Sequence, residues 1–356
     1  MSREELWARL QADGLVEGDL PERIEEQSPW YVRLMLGIAG WIGALFLLGF
    51  VGAAFAFVMQ DAGTALFAGA ACCAGAFALF RSFRGQSFAE QFALALSLAG
   101  QGLMIVGLSQ FLKLGDPSLY LAVAAIEAAL ALAIPNFLHR LLAAAGAAAA
   151  LALAINQMAL HGLAAPLLSA ALALVWLDPR RWARNGSVWR PIGYGLLLAL
   201  LLVEAFRLFG VEQWFGRSEQ AAGWMRLHGP LLGRALTAGV LVCVAIVLTV
   251  REGHLPASRT TLSAAAGAVL IGLISLTAPG FASALLILLL GFAAGNRMLM
   301  ALGIVSLFGL VAHFYYSLHA TLLEKSGILA LTGLFLIVAW LVLRLAPRAA
   351  GETAHA

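Results

Sequence analysis

Charged side chains are scarce in this sequence of 356 residues: they make up 12% of it, against 62% hydrophobic residues. Soluble domains carry about 25% charged residues. A soluble globule of this size would have too little polar surface to face water, so this class is excluded. Several apolar runs approach or exceed the ~20 residues that cross a bilayer as a helix. They are continuous rather than alternating, which excludes a β-barrel. The sequence therefore predicts an all-α, polytopic transmembrane helical bundle.

Cysteines and catalytic signatures are also rare. The three cysteines, Cys72, Cys73 and Cys243, lie in apolar runs without metal-ligand spacing, so we interpret them as small apolar fillers. The sequence contains no GxSxG, no HExxH and no phosphate-binding Gly-rich loop. We predict no metal, no cofactor and no catalytic residue, and hence a non-enzymatic protein. An intramembrane enzyme acting on lipid is kept as an alternative.

The first 30 residues are polar and acidic, and so lack the basic start and early apolar run of a cleavable signal peptide. We therefore expect the first apolar run to be a retained membrane helix. Ser2 and Glu5 have capping-box spacing, which predicts a short helix before the membrane. The expected organisation is a cytoplasmic N-terminal helical segment over 1–33, a transmembrane bundle over 34–346 and a short cytoplasmic tail over 347–356.

Hydropathy and turn residues divide the bundle into about twelve spans. The tenth is only about 15 residues, shorter than a usual crossing. Alternatively, spans nine and ten form one re-entrant hairpin, which leaves ten crossings. In that case every later segment stays on the same side of the membrane. The predicted spans are 34–59, 64–80, 87–110, 119–134, 141–157, 162–177, 192–211, 231–250, 262–278, 281–295, 298–317 and 327–345.

The basic residues predict the orientation of these spans. With a cytoplasmic N-terminus, 16 of the 22 Lys and Arg fall on inner segments and 4 on outer ones, and Arg207 and Arg234 lie inside spans. Such a bias is the positive-inside pattern. We therefore expect a bacterial inner-membrane protein with both termini cytoplasmic and the lipid bilayer as its surroundings. The net charge of +3 has this topological explanation and predicts no nucleic-acid partner.

Ionisable residues deep inside a span are costly and often functional. Glu127 lies near the middle of the fourth span, and Glu204 and Arg207 lie one helical turn apart in the seventh. One interpretation is an intramembrane polar path for protons or ions through Glu127 and Glu204, gated by Arg207. The other is a Glu-Arg pair that neutralises itself and holds helices together.

Small residues predict how the helices pack, because close backbone approach holds bundles together in lipid. The fifth span reads "LLAAAGAAAALALA", and we expect it to be buried among other helices. Gly291 and Gly295 form a GxxxG pair, so a homo-oligomer contact is an alternative to ordinary packing. The inner loop "WLDPRRWARNGSVWRP" interleaves arginine and tryptophan, which predicts an anchor at the bilayer interface.

One short window, "HFYYSLHATLLEKSGIL", holds most of the polar groups near the end of the chain. The span pattern places it at an outward-facing corner between the last two spans. We predict a recognition surface at the membrane boundary rather than a buried catalytic cluster. Its candidate residues are His313, Tyr315, Tyr316, His319, Thr321, Glu324, Lys325 and Ser326.

The stretch "YYSLHATLLEKSGILALTGLFLI" resembles a motif of a bacterial inner-membrane family described only as a domain of unknown function. That motif is a tyrosine pair followed by a Leu, then TLLxKS and a later Gly. The start "LWARLQADGLVEG" is similar to the start of related membrane proteins.

The resemblance implies no activity. It implies a smaller, membrane-anchored partner with a GDYxxLxY motif, facing the periplasm, and hence a role as a component of a membrane complex. A secondary transporter or channel using Glu127, Glu204 and Arg207 is the alternative function. The residues that match the motif are Tyr315, Tyr316, Leu318, Thr321, Leu322, Leu323, Lys325, Ser326 and Gly333.

Overall fold

The computed structural model describes residues 3–13, 61–83, 86–210, 223–253 and 258–317, with isolated positions from 31 to 49 and at 255, 326 and 337. Over this part of the chain all regular structure is helical, so the predicted all-α class is confirmed. The helices are α1 (Arg3–Ala12), α2 (Ala62–Ser82), α3 (Ser87–Phe111), α4 (Pro117–Ala133), α5 (Phe137–Gln157), α6 (Ala164–Leu177), α7 (Pro179–Leu208), α8 (Gly223–Arg251), α9 (Arg259–Thr277), α10 (Phe281–Ala293) and α11 (Arg297–Ser317).

Six of the described helices are long and apolar enough to cross a membrane: α2, α3, α5, α7, α8 and α11. Four shorter helices, α4, α6, α9 and α10, are also apolar. The chain is therefore a multi-pass membrane protein. Ten predicted spans coincide with α2 to α11, and the spans predicted over 34–59 and 327–345 lie almost wholly outside the described residues. The total number of crossings stays a prediction.

Residues 1–110 form one compact unit, in which α2 and α3 pack closely through glycines. A Cβ added at Gly69 would lie 2.7 Å from the Gly100 carbonyl oxygen, and one added at Gly100 would lie 2.7 Å from the Gly69 carbonyl oxygen. Beside this crossing, Cys73 Sγ donates to the Ser97 carbonyl at 3.7 Å. The two backbones can approach this closely only because neither position carries a side chain.

Residues 111–356 form the second unit, and its centre is made by the two shortest helices. Helix α6 contacts α5, α7, α8 and α10, and α10 contacts α6, α8, α9 and α11. Their side chains, among them Leu172, Leu286 and Ile287, are fully buried. Helix α10 has 13 residues and α6 has 14, so each is about 20 Å long at ~1.5 Å per residue. That is about 10 Å shorter than a ~30 Å hydrocarbon core.

The turn before α6 rests directly on the backbone of α8. Gly162 has φ +88°, a left-handed conformation that favours glycine. A Cβ added at Gly162 would overlap the Gly229 carbonyl oxygen, and one added at Gly233 would overlap the Gly162 carbonyl oxygen. Three glycines therefore fix where α6 begins against α8.

Carbonyls at the end of α4 accept hydrogen bonds from an arginine of the next helix. The last four carbonyls of a helix have no partner inside it. Arg140, in the first turn of α5, donates from Nε to the Ala131 carbonyl at 3.0 Å and from Nη2 to the Leu132 carbonyl at 3.4 Å. Its Nη1 donates to the Ser187 carbonyl of α7 at 3.1 Å. One side chain thus joins three helices.

Carbonyls at two further helix ends also accept hydrogen bonds from an arginine of a neighbouring helix. Arg234 of α8 donates from Nη1 to the Leu276 carbonyl near the end of α9 at 2.8 Å. Arg251 at the end of α8 donates to the carbonyl of Leu177, the last residue of α6. A helix-end carbonyl left unpaired inside a membrane is costly. The arginines supply the missing donors.

The structure bears on two of the packing predictions, the burial of the alanine-rich helix and the GxxxG pair. The alanine-rich α5 has ten buried residues, which confirms that it lies among other helices. Gly291 of the predicted GxxxG pair packs on α11 of its own chain, while Gly295 lies in the turn after α10 with φ +60°. The pair therefore does not form one helical face, because α10 ends at Ala293. Homo-oligomerisation stays a prediction.

The loop predicted as an interfacial anchor is largely helical. It begins α7, with non-helical backbone at Asn185 inside the helix. Trp176 is buried and Trp182 is half-buried, and their rings lie 4.6 Å apart against the core. These two tryptophans pack on the protein core, and the anchor at the bilayer interface stays a prediction.

Candidate functional site

A buried polar cluster joins the end of α7 to the beginning of α10. Glu204 of α7 is only 7% exposed, and its Oε2 lies 3.7 Å from Nη1 of Arg207 one turn later. Its Oε1 accepts a 2.6 Å hydrogen bond from Oγ of Ser283 in the first turn of α10. The structure therefore brings together the Glu-Arg pair singled out in the sequence and a serine from a second helix.

The carboxylate of Glu204 faces the N-terminus of α10. Gly280 precedes this helix with φ 86° and makes no side-chain cap. Glu204 Oε2 lies 3.7 Å from the position of a Cβ added at Gly280. The first turn of a helix presents unpaired N–H groups and a partial positive charge. Glu204 thus places negative charge where the start of α10 favours it.

A second arginine completes the cluster from α8. Arg234 lines the same small cavity, and its buried Nε has no hydrogen-bond partner among the described residues. Thr237 and Ser275 add hydroxyl groups, which donate to carbonyls of their own helices at 2.9 and 2.6 Å. Four helices therefore contribute two guanidinium groups, one carboxylate and three hydroxyls, with an excess of positive charge.

The space left within this cluster is very small. The cavity has a volume of about 10 Å³. That is near the least volume that holds one water molecule. Glu204 Oε2 and Arg234 Nε, both buried and without a described hydrogen-bond partner, border it. In this conformation the cluster has no space for anything larger than a water molecule.

Glu127 lies elsewhere in the second unit. It is 5% exposed on α4 and packs on α5, where a Cβ added at Gly146 would lie 3.4 Å from its Oε2. That oxygen has no hydrogen-bond partner in the described part of the chain. Glu127 is not among the residues that line the cavity beside Glu204. The structure does not bring the two glutamates together, and a path through both stays a prediction.

A much larger cavity lies at the opposite end of α10. Its volume is about 1090 Å³, and the ends of several helices form its wall. Arg190 of α7, Arg251 of α8 and Arg297 of α11 line it, together with one acidic residue, Glu252. In the sequence these three arginines fall on segments predicted to be inner. No sequence pattern indicates that they line the same cavity.

Aromatic residues form one wall of this cavity. Trp176 lies 5.4 Å from Tyr194 in an edge-on contact, and Trp182 Nε1 donates to the Val175 carbonyl at 2.9 Å. Asn296 Nδ2 donates to the Tyr194 hydroxyl at 2.8 Å, while Asn296 Oδ1 accepts from the first N–H groups of α11. An Asn before an apolar run is a helix-start signal, so this cap was readable in the sequence. The contact with Tyr194 was not.

The first part of the window predicted for recognition ends α11. The ring of His313 meets Phe209 at the end of α7 edge-on, 5.7 Å between centroids. Tyr315 and Tyr316 stand edge-on at 5.5 Å, and Tyr316 is 81% exposed. Ser326 is an isolated described position and is exposed. The window's other candidates, His319, Thr321, Glu324 and Lys325, lie outside the described residues.

Among the described residues, no three His, Cys, Asp or Glu side chains come together as a possible metal site. A protein-family model with the description Domain of unknown function (DUF4401) matches residues 29–345. No curated protein and no solved structure matches the chain. The matched range includes the buried cluster, the large cavity and the whole of the C-terminal window.

Proposed function

The chain belongs to the DUF4401 family, and on its buried charged cluster we propose that it is a membrane transport protein for a small anion. The observation that carries the proposal is the group formed by Glu204, Arg207 and Arg234 at the start of α10. Charged side chains within membrane segments are expensive, and where they occur they commonly mark ion or substrate pathways.

The composition of the cluster favours an anion. Two guanidinium groups stand against one carboxylate, and the N-terminus of α10 adds further partial positive charge. Transporters commonly bind anionic groups at the N-termini of discontinuous helices near the membrane centre. Helix α10, with 13 residues, is too short to cross alone.

The contacts of Glu204 suggest how an anion would pass. Its carboxylate occupies the place in front of α10 that an anionic substrate would take. An entering anion replaces this carboxylate between Arg207 and Ser283, and Glu204 returns once the anion has left. We further propose that the protein lies in a bacterial inner membrane with both termini cytoplasmic, as the bias of basic residues predicts.

Flux measurements test this proposal. The purified full chain is reconstituted into liposomes, and uptake of chloride, nitrate, acetate and inorganic phosphate is measured. Arg207→Gln and Arg234→Gln should each reduce flux roughly tenfold to a hundredfold, because a hydrogen bond to a charged group contributes about 1.5–3 kcal/mol. Arg184→Gln, at an exposed position of α7 that lines no part of this cluster, is the matched control and should leave flux unchanged.

Two results would contradict transport through the cluster. One is the absence of flux of every anion tested with the wild-type chain. The other is full flux in both arginine variants. Glu127→Gln in the same assay tests the longer path predicted from the sequence, which requires flux to fall here as well.

A second proposal concerns a partner. The resemblance implies a smaller membrane-anchored protein with a GDYxxLxY motif, which would make this chain a component of a membrane complex. The observation that favours a contact is the exposed Tyr316 at the end of α11, beside Tyr315. Tyrosine is enriched where a protein meets both apolar and polar surroundings.

Affinity purification from native membranes tests the partner proposal. Tagged wild-type chain should recover the smaller protein, identified by mass spectrometry. Tyr316→Ala and Lys325→Ala should reduce its recovery. Phe308→Ala, at an equally exposed aromatic on α11, should not. Recovery of the tagged chain alone, or equal recovery by all variants, would exclude this contact.

A further inference from the structure

The large cavity at the end of α10 is large enough to be a ligand site. At about 1090 Å³ it lies at the upper limit of typical small-molecule pockets, which are roughly 300–1,000 Å³. Its wall comes from α6, α7, α8, α9, α10 and α11, so no single helix end defines it. A ligand here would contact most of the second unit.

The charged groups that line the cavity favour an anionic ligand. Three arginines from three helices face one carboxylate, that of Glu252. Arg251 is held by its hydrogen bond to the Leu177 carbonyl, which leaves other donors of the same guanidinium for a ligand. Arg190 and Arg297 are exposed at the cavity wall. Guanidinium groups match phosphate oxygens in a bidentate geometry.

The rest of the lining is mostly apolar and aromatic, with Thr249 and Asn296 as polar exceptions. Leu248, Leu289, Phe292 and Met298 line the cavity, and Phe292 is 72% exposed. An exposed apolar surface of this kind suits an acyl chain. A ligand that suits both parts carries a phosphate group and an apolar tail. Basic pockets between membrane helices bind phospholipid head groups in this way.

We propose that this cavity binds the phosphate group of an anionic phospholipid, held by Arg190, Arg251 and Arg297, with an acyl chain along the apolar side. The site is separate from the Glu204 cluster and does not depend on the transport proposal. The same phosphate chemistry would suit a soluble phosphate ester, so the experiment distinguishes the two sources.

The test is equilibrium binding of fluorescently labelled phosphatidylglycerol to the detergent-solubilised full chain. Unlabelled phosphatidylglycerol should displace the label, and phosphatidylcholine should displace it at least tenfold less well. Arg190→Gln combined with Arg297→Gln should weaken binding roughly a hundredfold, because each lost charged hydrogen bond accounts for about tenfold. Arg81→Gln, which removes an exposed arginine in the last turn of α2 that does not line the cavity, should bind as the wild type does.

Three results would overturn the proposal. The first is equal displacement by the two lipids. The second is unchanged affinity in the double variant. The third is displacement by inorganic phosphate at the same concentrations as phosphatidylglycerol, which would assign the site to a soluble phosphate. Arg190→Lys with Arg297→Lys keeps the charge and should retain part of the affinity. If that variant keeps affinity while the glutamine pair loses it at an equal melting temperature, loss of fold is excluded as the cause.

Discussion

Replacing Gly162 by alanine should destabilise the second unit through two separable effects. The first is backbone strain, since φ is +88° and an L side chain in this conformation costs about 1–2 kcal/mol. The second is overlap of the new Cβ with the Gly229 carbonyl oxygen. Overpacking of this kind costs about 1–3 kcal/mol. Gly162→Ala should therefore lower the free energy of unfolding by about 2–5 kcal/mol.

Three other glycines separate these effects. Gly115 has φ 93° and open space around it, so Gly115→Ala should show the strain alone, about 1–2 kcal/mol. Gly233→Ala places a Cβ against the Gly162 carbonyl within a regular helix and should show the overlap alone, about 1–3 kcal/mol. Gly239, also in α8, has nothing within 4 Å, and alanine there should be neutral or stabilising by up to ~1 kcal/mol.

The assay is unfolding in mixed micelles with increasing dodecyl sulfate, followed by far-ultraviolet circular dichroism. The expected order of stability is Gly239→Ala highest and Gly162→Ala lowest, with the other two variants between them. If Gly162→Ala were no less stable than Gly115→Ala, the direct contact of this turn with α8 would be wrong. If Gly239→Ala were as unstable as Gly162→Ala, the effect would come from alanine in general and not from the position.

Four further predictions use the same unfolding assay. Glu204→Gln keeps an acceptor for Ser283 but removes the counter-charge of buried arginine, so it should cost about 3–5 kcal/mol; a change below 1 kcal/mol would contradict the buried pair. Gly100→Ala should cost about 1–3 kcal/mol, because its Cβ meets the α2 backbone; neutral behaviour would rule out that close crossing. Arg140→Lys should cost about 1–3 kcal/mol, since one ammonium cannot reach three carbonyls; full stability in this variant would contradict that role. Hydrogen bonds from Thr64 lower the pKa of the Asp61 carboxyl below its ordinary 3.8. The stabilisation from this cap is therefore present above pH 3.8 and lost as the pH falls through the lower folded-state value, and Asp61→Asn should remove that pH dependence.

The sequence predicts the helices well because the local signals are strong. Asp116-Pro117 and Asp178-Pro179 are cap-and-proline pairs, and they begin α4 and α7. The short tenth span, predicted over 281–295, appears as α10 over Phe281–Ala293. Hydropathy and turn residues are properties of neighbouring positions, so they can be read without the fold.

The sites could be predicted only in part. Glu204 and Arg207 stand out because they share a helix face, but Ser283 lies 79 residues from Glu204, and no spacing rule connects them. Glu127, like Glu204, is an ionisable residue inside a predicted span, yet it faces Gly146 of the alanine-rich helix α5. Which buried charge meets which partner depends on how helices cross, and hydropathy carries no information about crossing.

The arginines that close helix ends also bear on how basic residues are counted in a membrane chain. Positive-inside counting treats Lys and Arg as equal charges. A guanidinium, however, carries five N–H donors in a rigid fork, and a lysine ammonium carries three on a flexible stem. This chain has 20 arginines and 2 lysines. Arg140 uses the fork to hold the end of one helix and a carbonyl of another, while Arg234 and Arg251 each donate one hydrogen bond to the end of a neighbouring helix. The bias towards arginine is therefore part of the architecture as well as of the topology, and a lysine engineered in place of Arg140 would preserve the orientation signal while releasing the helix end.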